Sequence, residues 1–209
     1  SGLEYSSVAC ADLDKDGLID IVANGVNSSG SFTLLLFHNT GSGFNEETLA
    51  WGISPTYGCG RGSVDLADYD NDGNIDLLVT GIDNSDEYIT IVYHNTGSGS
   101  FLEDLVTAVG GKIEGKGYGK GVFFDFDGDN DMDIFLSGSF ASSFPGHYET
   151  RLLRYDGSGT EGFWIELDEN LKSMYANGTG ILGDFTGDGR LDLFHSGWRF
   201  TYGPTSKAY

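Results

Sequence analysis

The chain has 209 residues, 39% apolar and 13% aromatic, with 33 Gly, only 3 Pro and a formal net charge of −21. Length and apolar share suit a folded domain with a sizeable core. The charge argues against nucleic acid, whose phosphates require Lys and Arg, and against anionic membrane surfaces. No apolar run approaches the roughly 18 residues of a membrane span, so no membrane insertion is expected. The chain starts Ser-Gly-Leu without Met, so it reads as a matured or partial chain.

In chain order, short apolar runs alternate with turns. "SVACA" (7–11) precedes the acidic stretch "DLDKDGLID" (12–20), and "IVANG" (21–25) follows it. A third run, "FTLLLFH" (32–38), comes after a short loop, then the Gly-rich "TGSGFNEET" (40–48). The order then repeats. "SVDLA", "DYDNDGNID" (68–76), "LLVTG", "YITIVYH" and "TGSGSFLED" form the second unit. "GVFF", "DFDGDNDMD" (125–133), "IFLSG", "TRLLRY" and "DGSGTEGFWIEL" form the third. "TGILG", "DFTGDGRLD" (184–192), "LFHSG" and the terminal "TSKAY" form the start of a fourth.

Each run holds four to eight residues, rich in β-branched and aromatic types and bounded by Gly, Asn, Asp or Ser, which are strand signals. No run reads as a helix. Four strands in each unit of nearly 60 residues predict an all-β chain of four-stranded antiparallel β-propeller blades, about 3.5 of them. The expected repeats span about 3–57, 58–114, 115–173 and an incomplete 174–209 within one region, 1–209. A solenoid fits less well, since its repeats are usually shorter.

The nine-residue pattern alternates oxygen ligands, as a hard cation such as calcium requires. Positions 1, 3, 5 and 9 are Asp12, Asp14, Asp16 and Asp20; Asp68, Asp70, Asp72 and Asp76; Asp125, Asp127, Asp129 and Asp133; and Asp184, Thr186, Asp188 and Asp192. Position 7 would give a backbone carbonyl, so its side chain varies: Leu18, Asn74, Asp131 and Arg190. Gly or Asn at position 6 permits a positive φ, and apolar residues at positions 2 and 8 anchor the loop. Such a site explains why 16 of 32 acidic residues are crowded into four loops. Four Ca²⁺ would bring the charge to about −13. The fourth loop, with Thr186, is expected to bind most weakly. An EF-hand is rejected, because position 12 is Ala23, Val79, Leu136 and His195 rather than Glu and the flanks are strands.

"YGKGVFFDFDGDNDMDIFLSG" and "GRGSVDLADYDNDGNIDLLVTG" resemble the FG-GAP repeats of integrin α-subunit propellers and related secreted proteins. The resemblance implies a ring of about seven blades, in which more chain or a neighbouring subunit completes the sheet. It implies calcium in the loop between the first two strands of a blade, carried here by Asp12, Asp14, Asp16 and Asp20 and their counterparts. It implies an extracellular or cell-surface module for adhesion or protein interaction. Gly-Ala-Pro is replaced by "ANG", "VTG", "LSG" and "HSG", which loosens the link to integrins in particular.

The partner expected on this reading is a protein or glycan on exposed loops, with self-assembly through the incomplete last blade. His38 and His94 share one phase and read as structural rather than catalytic. No Gly-x-Ser-x-Gly elbow occurs, and no enzyme activity is expected. A lectin-like alternative would use Trp51, Tyr57, Trp164, Trp198, Phe200 or Tyr202 for stacking. A further alternative is the non-catalytic propeller part of a polysaccharide-degrading enzyme. An outright lyase would need a basic residue in an acidic cleft, and "GKIEGKGYGK" (111–120) is the nearest basic cluster. Asn27 and Asn177 open glycosylation sequons. Cys10 and Cys59 are either a disulfide or two small buried side chains.

Overall fold

A computed structural model describes residues 2–54, 59–97, 99–104, 107–108, 111–112, 115–140, 148–157, 163–167, 175–187, 192–199 and 203–208. All its regular elements are strands. Sheet one is a meander of β1 (Glu4–Ala11), β2 (Asp20–Val26), β3 (Phe32–Asn39) and β4 (Phe44–Glu46). Sheet two repeats it with β5 (Val64–Ala67), β6 (Asp76–Ile82), β7 (Tyr88–Asn95) and β8 (Phe101–Asp104). A two-residue pair, β9 (Thr107–Ala108) and β10 (Gly111–Lys112), which the sequence pattern did not announce, follows. Sheet three contains β11 (Gly117–Phe124), β12 (Asp133–Ser139), β13 (Tyr148–Asp156) and β14 (Phe163–Leu167). Sheet four contains β15 (Tyr175–Gly183), β16 (Asp192–Arg199) and β17 (Gly203–Ala208). All neighbouring strands pair antiparallel. This is the all-β, blade-like architecture that the repeat predicts.

The sheets stack face to face, and period-two alternation assigns each residue a face. Leu77, Val79, Ile91 and Tyr93 of sheet two meet Val22, Leu34 and Leu36 of sheet one, with Leu13 and Trp51 in the same core. The alternate residues Leu78 and Val92 meet Ile134, Leu136 and Leu153 of sheet three, with Tyr69 in that cluster. β6 is therefore buried along its whole length. Burying each such side chain contributes on the order of 1.5–3 kcal/mol, and no single sheet could bury both faces alone.

In sheets one to three the first strand carries the same irregularity at or just before its start. Tyr5, Arg61 and Tyr118 stand seven residues before position 1 of their loops and have φ values of 48°, 57° and 54°. In β1 and β11 the register shifts there. The Arg61 amide donates to the Tyr5 carbonyl (3.4 Å), and the Tyr118 amide to the Arg61 carbonyl (2.5 Å), which ties successive sheets together. Arg61 lies over the Tyr5 and Tyr118 rings at 5.5 and 5.4 Å, an attraction between cation and ring face. Next to these residues, Gly62 and Gly119 run so close to the second strand that a Cβ would collide with the carbonyls of Thr80 and Ser137.

Candidate metal centres

The acidic loops are the β1–β2, β5–β6, β11–β12 and β15–β16 connections, so they share one end of the stack. Their backbone is held by their own carboxylates. Asp12 accepts from the amides of Asp16 (3.1 Å) and Gly17 (2.9 Å). Asp68 accepts from Gly73 (2.9 Å), and Asp125 from Gly128 (2.7 Å) and Asn130 (3.1 Å). At position 3, Asp14, Asp70 and Asp127 each accept from the amide two residues on, at 3.2, 3.2 and 3.3 Å. At position 5, Asp16, Asp72 and Asp129 do the same for Leu18 (2.8 Å), Asn74 (2.7 Å) and Asp131 (2.9 Å). Such Asx turns leave oxygens over to face the loop centre.

In the first three loops two positions have left-handed backbone, not one. Position 6 (Gly17, Gly73, Asn130) is as the sequence indicates, but position 4 (Lys15, Asn71, Gly128) is also positive, at φ 63°, 59° and 81°. Lys15 gives no hint of this in its residue type.

Position 9 has a second task. Asp20, Asp76 and Asp133 are fully buried. One oxygen of each accepts from the amide at position 2: Leu13 (3.0 Å), Tyr69 (3.1 Å) and Phe126 (2.7 Å). The other accepts from the third strand: Asn39 (2.8 Å), Asn95 (2.7 Å) and Tyr155 (2.9 Å). The carboxylate staples the loop to both neighbouring strands. Burial raises the pKa of Asp20 and pushes Asp76 up to about 7 and Asp133 to about 6; nearby loop carboxylates add to this. Burial and the Asp72 and Asp68 charges raise Asp70 as well.

The structure brings Asp12, Asp14 and Asp20 together, likewise Asp68, Asp70 and Asp72, and Asp125, Asp127 and Asp133, with ligand atoms within 4.8 Å in each group. An all-oxygen set of this density suits a hard divalent cation. The second loop carries an independent sign: Asp68 Oδ1 is buried with no hydrogen-bond partner. A cation there would satisfy it, so the residues fit the ion. Of position 7, Leu18 is half-buried, Asn74 Nδ2 donates to Asp72 (2.9 Å), and Asp131 accepts from Asn71 (2.7 Å) of the preceding loop. In the fourth loop, Asp184 accepts from Gly187 (2.5 Å), and Asp192 Oδ2 from Phe185 (2.8 Å) and Thr186 (2.9 Å). Asp188 and Arg190 lie outside the described residues.

Sequence reasoning missed the group that the third strand aims at each of the first three loops. His38 Nε2 lies 3.3 Å from Asp14, and His94 Nδ1 lies 3.4 Å from Asp70 and 3.3 Å from Asp76. In sheet three the same place holds Arg154, 3.5 Å from Asp127. Burial lowers the His38 pKa, but the Asp14, Asp20 and Glu47 carboxylates outweigh it and hold the ring above its ordinary value. The shared phase of His38 and His94 was visible; their contact with the loops depends on cross-strand register.

Other sequence candidates fall elsewhere. Trp51 is buried in the first core, its indole N–H on Glu47 (2.9 Å). The side chains of Trp164, Trp198, Phe200, Tyr57 and Tyr202 lie outside the described residues, as do those of His147, His195 and Asn177. Asn27 sits in a turn and accepts from the amides of Ser29 and Ser31. Lys116 is buried, paired with Glu149 (3.1 Å). Both thiols are free: Cys10 is exposed, while Cys59 is buried, which pushes its pKa up to about 12.

A family model described as the FG-GAP-like repeat matches residues 12–79 and again 68–136. No curated protein matches the chain.

Proposed function

The chain belongs to the FG-GAP-like repeat family, and we propose that it is an extracellular, calcium-stabilised β-propeller module for adhesion or protein interaction. The observation that supports this most directly is the Asp68 cluster: three carboxylates converge, and a buried Oδ1 lacks a partner. Calcium at the loops would be held by oxygens of positions 1, 3, 5 and 9, and position 9 would also fix the loop on the strands. Its role would be to offset carboxylate repulsion and to rigidify one end of the stack. Proton transfer is a poor use for groups committed in this way, so the chemistry is binding rather than turnover.

An extracellular setting suits such loops, since sites in extracellular modules work at affinities as weak as about 10⁻⁴–10⁻³ M where calcium is abundant. No helix of the described residues is long and apolar enough to cross a membrane. The test is isothermal titration of the chelator-treated chain with calcium, with magnesium as control. Saturable calcium binding that Asp70→Ala reduces by one site supports the reading. Absence of binding heat and of any chelator effect on the melt would refute it.

A further inference from the structure

The second and third acidic loops are joined at the place where a ligand carbonyl is expected. Asn71 Nδ2 donates to the Asn130 carbonyl (2.9 Å) and to Asp131 Oδ1 (2.7 Å). One residue further on, the Met132 amide donates to the Tyr69 carbonyl (3.1 Å). Positions 6, 7 and 8 of the third loop are thus each tied to the second loop. Position 7 is the one whose main-chain carbonyl would face the ion, so its backbone is held from both sides.

Asn71 is tied as closely to its own loop. It is position 4, between Asp70 and Asp72, and its backbone is left-handed at φ 59°. Asp70 accepts from the Asp72 amide (3.2 Å) and Asp68 from the Gly73 amide (2.9 Å), which closes the turn around Asn71. An ion held by the converging carboxylates of Asp68, Asp70 and Asp72 would therefore fix the backbone on both sides of Asn71, and with it the direction of its amide. Position 4 differs in the neighbouring loops. In the first it is Lys15, whose ammonium lies beside Gly73 of the second loop and brings a positive charge there instead of a neutral donor. In the third it is Gly128, which has no side chain to reach onward.

We propose that Asn71 is a positioning residue for the ion of the third loop, and that through it calcium in the second loop strengthens calcium binding in the third. The inference rests on the calcium reading above. The coupling is entropic. To bind, the third loop must order the segment 130–132 that carries position 7. A second loop already held by its own ion has ordered the donor that grips this segment, so the third loop loses less freedom on binding. Coupling of this kind is reciprocal and typically about 5–150-fold. Two hydrogen bonds at an exposed site place it at the low end, about fivefold. Repulsion between the two ions acts with or without the Asn71 amide, so a comparison that removes only the amide isolates the coupling.

The test is titration calorimetry with calcium on chelator-treated chains carrying Asp14→Ala, which silences the first loop. Asp127→Ala identifies the heat that belongs to the third loop. The affinity of the third loop is measured with the second loop competent and with it silenced by Asp70→Ala. Both measurements are repeated with Asn71→Gly, which keeps the left-handed turn and removes the amide. A competent second loop should strengthen the third about fivefold more with Asn71 than with Asn71→Gly. Equal ratios would overturn the proposal and leave the calcium reading intact. No calcium heat in any chain would refute the calcium reading, and the proposal with it. Hydrogen exchange gives a readout that needs no ion in the third loop. In Asp127→Ala, calcium should raise the protection of the Asp131 and Met132 amides, and adding Asn71→Gly should abolish the rise. Protection that calcium leaves unchanged, or raises equally without the amide, would contradict the coupling through Asn71.

Discussion

Asp76→Ala and Asp70→Ala separate the two tasks of the acidic loops. Asp76 is fully buried, and its oxygens accept from the Asn95 (2.7 Å) and Tyr69 (3.1 Å) amides. Removing it strands two buried N–H groups at about 1–3 kcal/mol each, together about 2–6 kcal/mol. For a chain of this size each kcal/mol lowers the melting temperature by about 2–4 °C, so a loss of at least about 4 °C is expected with or without calcium. Asp70 accepts only one exposed amide, Asp72 (3.2 Å). Its removal should cost below about 1 kcal/mol in chelator but abolish the second loop's share of the calcium-induced rise. The assay is thermal unfolding followed by circular dichroism, in excess calcium and in excess chelator. An Asp76→Ala chain that melts like the unmodified one in chelator would refute the staple. An Asp70→Ala chain that keeps the whole calcium-induced rise would refute the ligand assignment.

Without an ion, Asp76 (about 7) and Asp133 (about 6) bind protons in the folded state that the unfolded chain, near 3.8, releases. The folded state then holds more protons, so stability in chelator should fall as pH rises from about 4 to about 7. In calcium the carboxylates are ionised on the metal and the slope should reverse; parallel slopes in melts across pH would contradict this. Arg154, 3.5 Å from Asp127, repels a cation in the third loop. In a chain carrying Asp14→Ala and Asp70→Ala, Arg154→Gln should therefore tighten calcium binding by about 1 kcal/mol, or about fivefold, by titration calorimetry. Gly119→Ala should cost about 1–3 kcal/mol or more, because its Cβ meets the Ser137 backbone and not a side chain that can move. An unchanged denaturant midpoint would show that the first strand can shift.

The sequence by itself determined what depends on near neighbours. Strand period, turn residues and the spacing of the aspartates are local, so the strands of all four sheets and the nine-residue loops could be read off residue by residue. Positions 1, 3 and 5 cap their own loop within five residues, and a pattern of that length is legible. Contacts that depend on cross-strand register were not. Asp20 meets Asn39, and His38 meets Asp14, only because β3 pairs with β2 in one register. The positive φ of Lys15 follows from loop closure and not from its own preference. The sequence also assigned Val8 and Val64 the same apolar role in strands of the same phase. Only the stacking of sheets left one exposed and the other buried, because burial belongs to the pair of faces that meet and not to either strand alone.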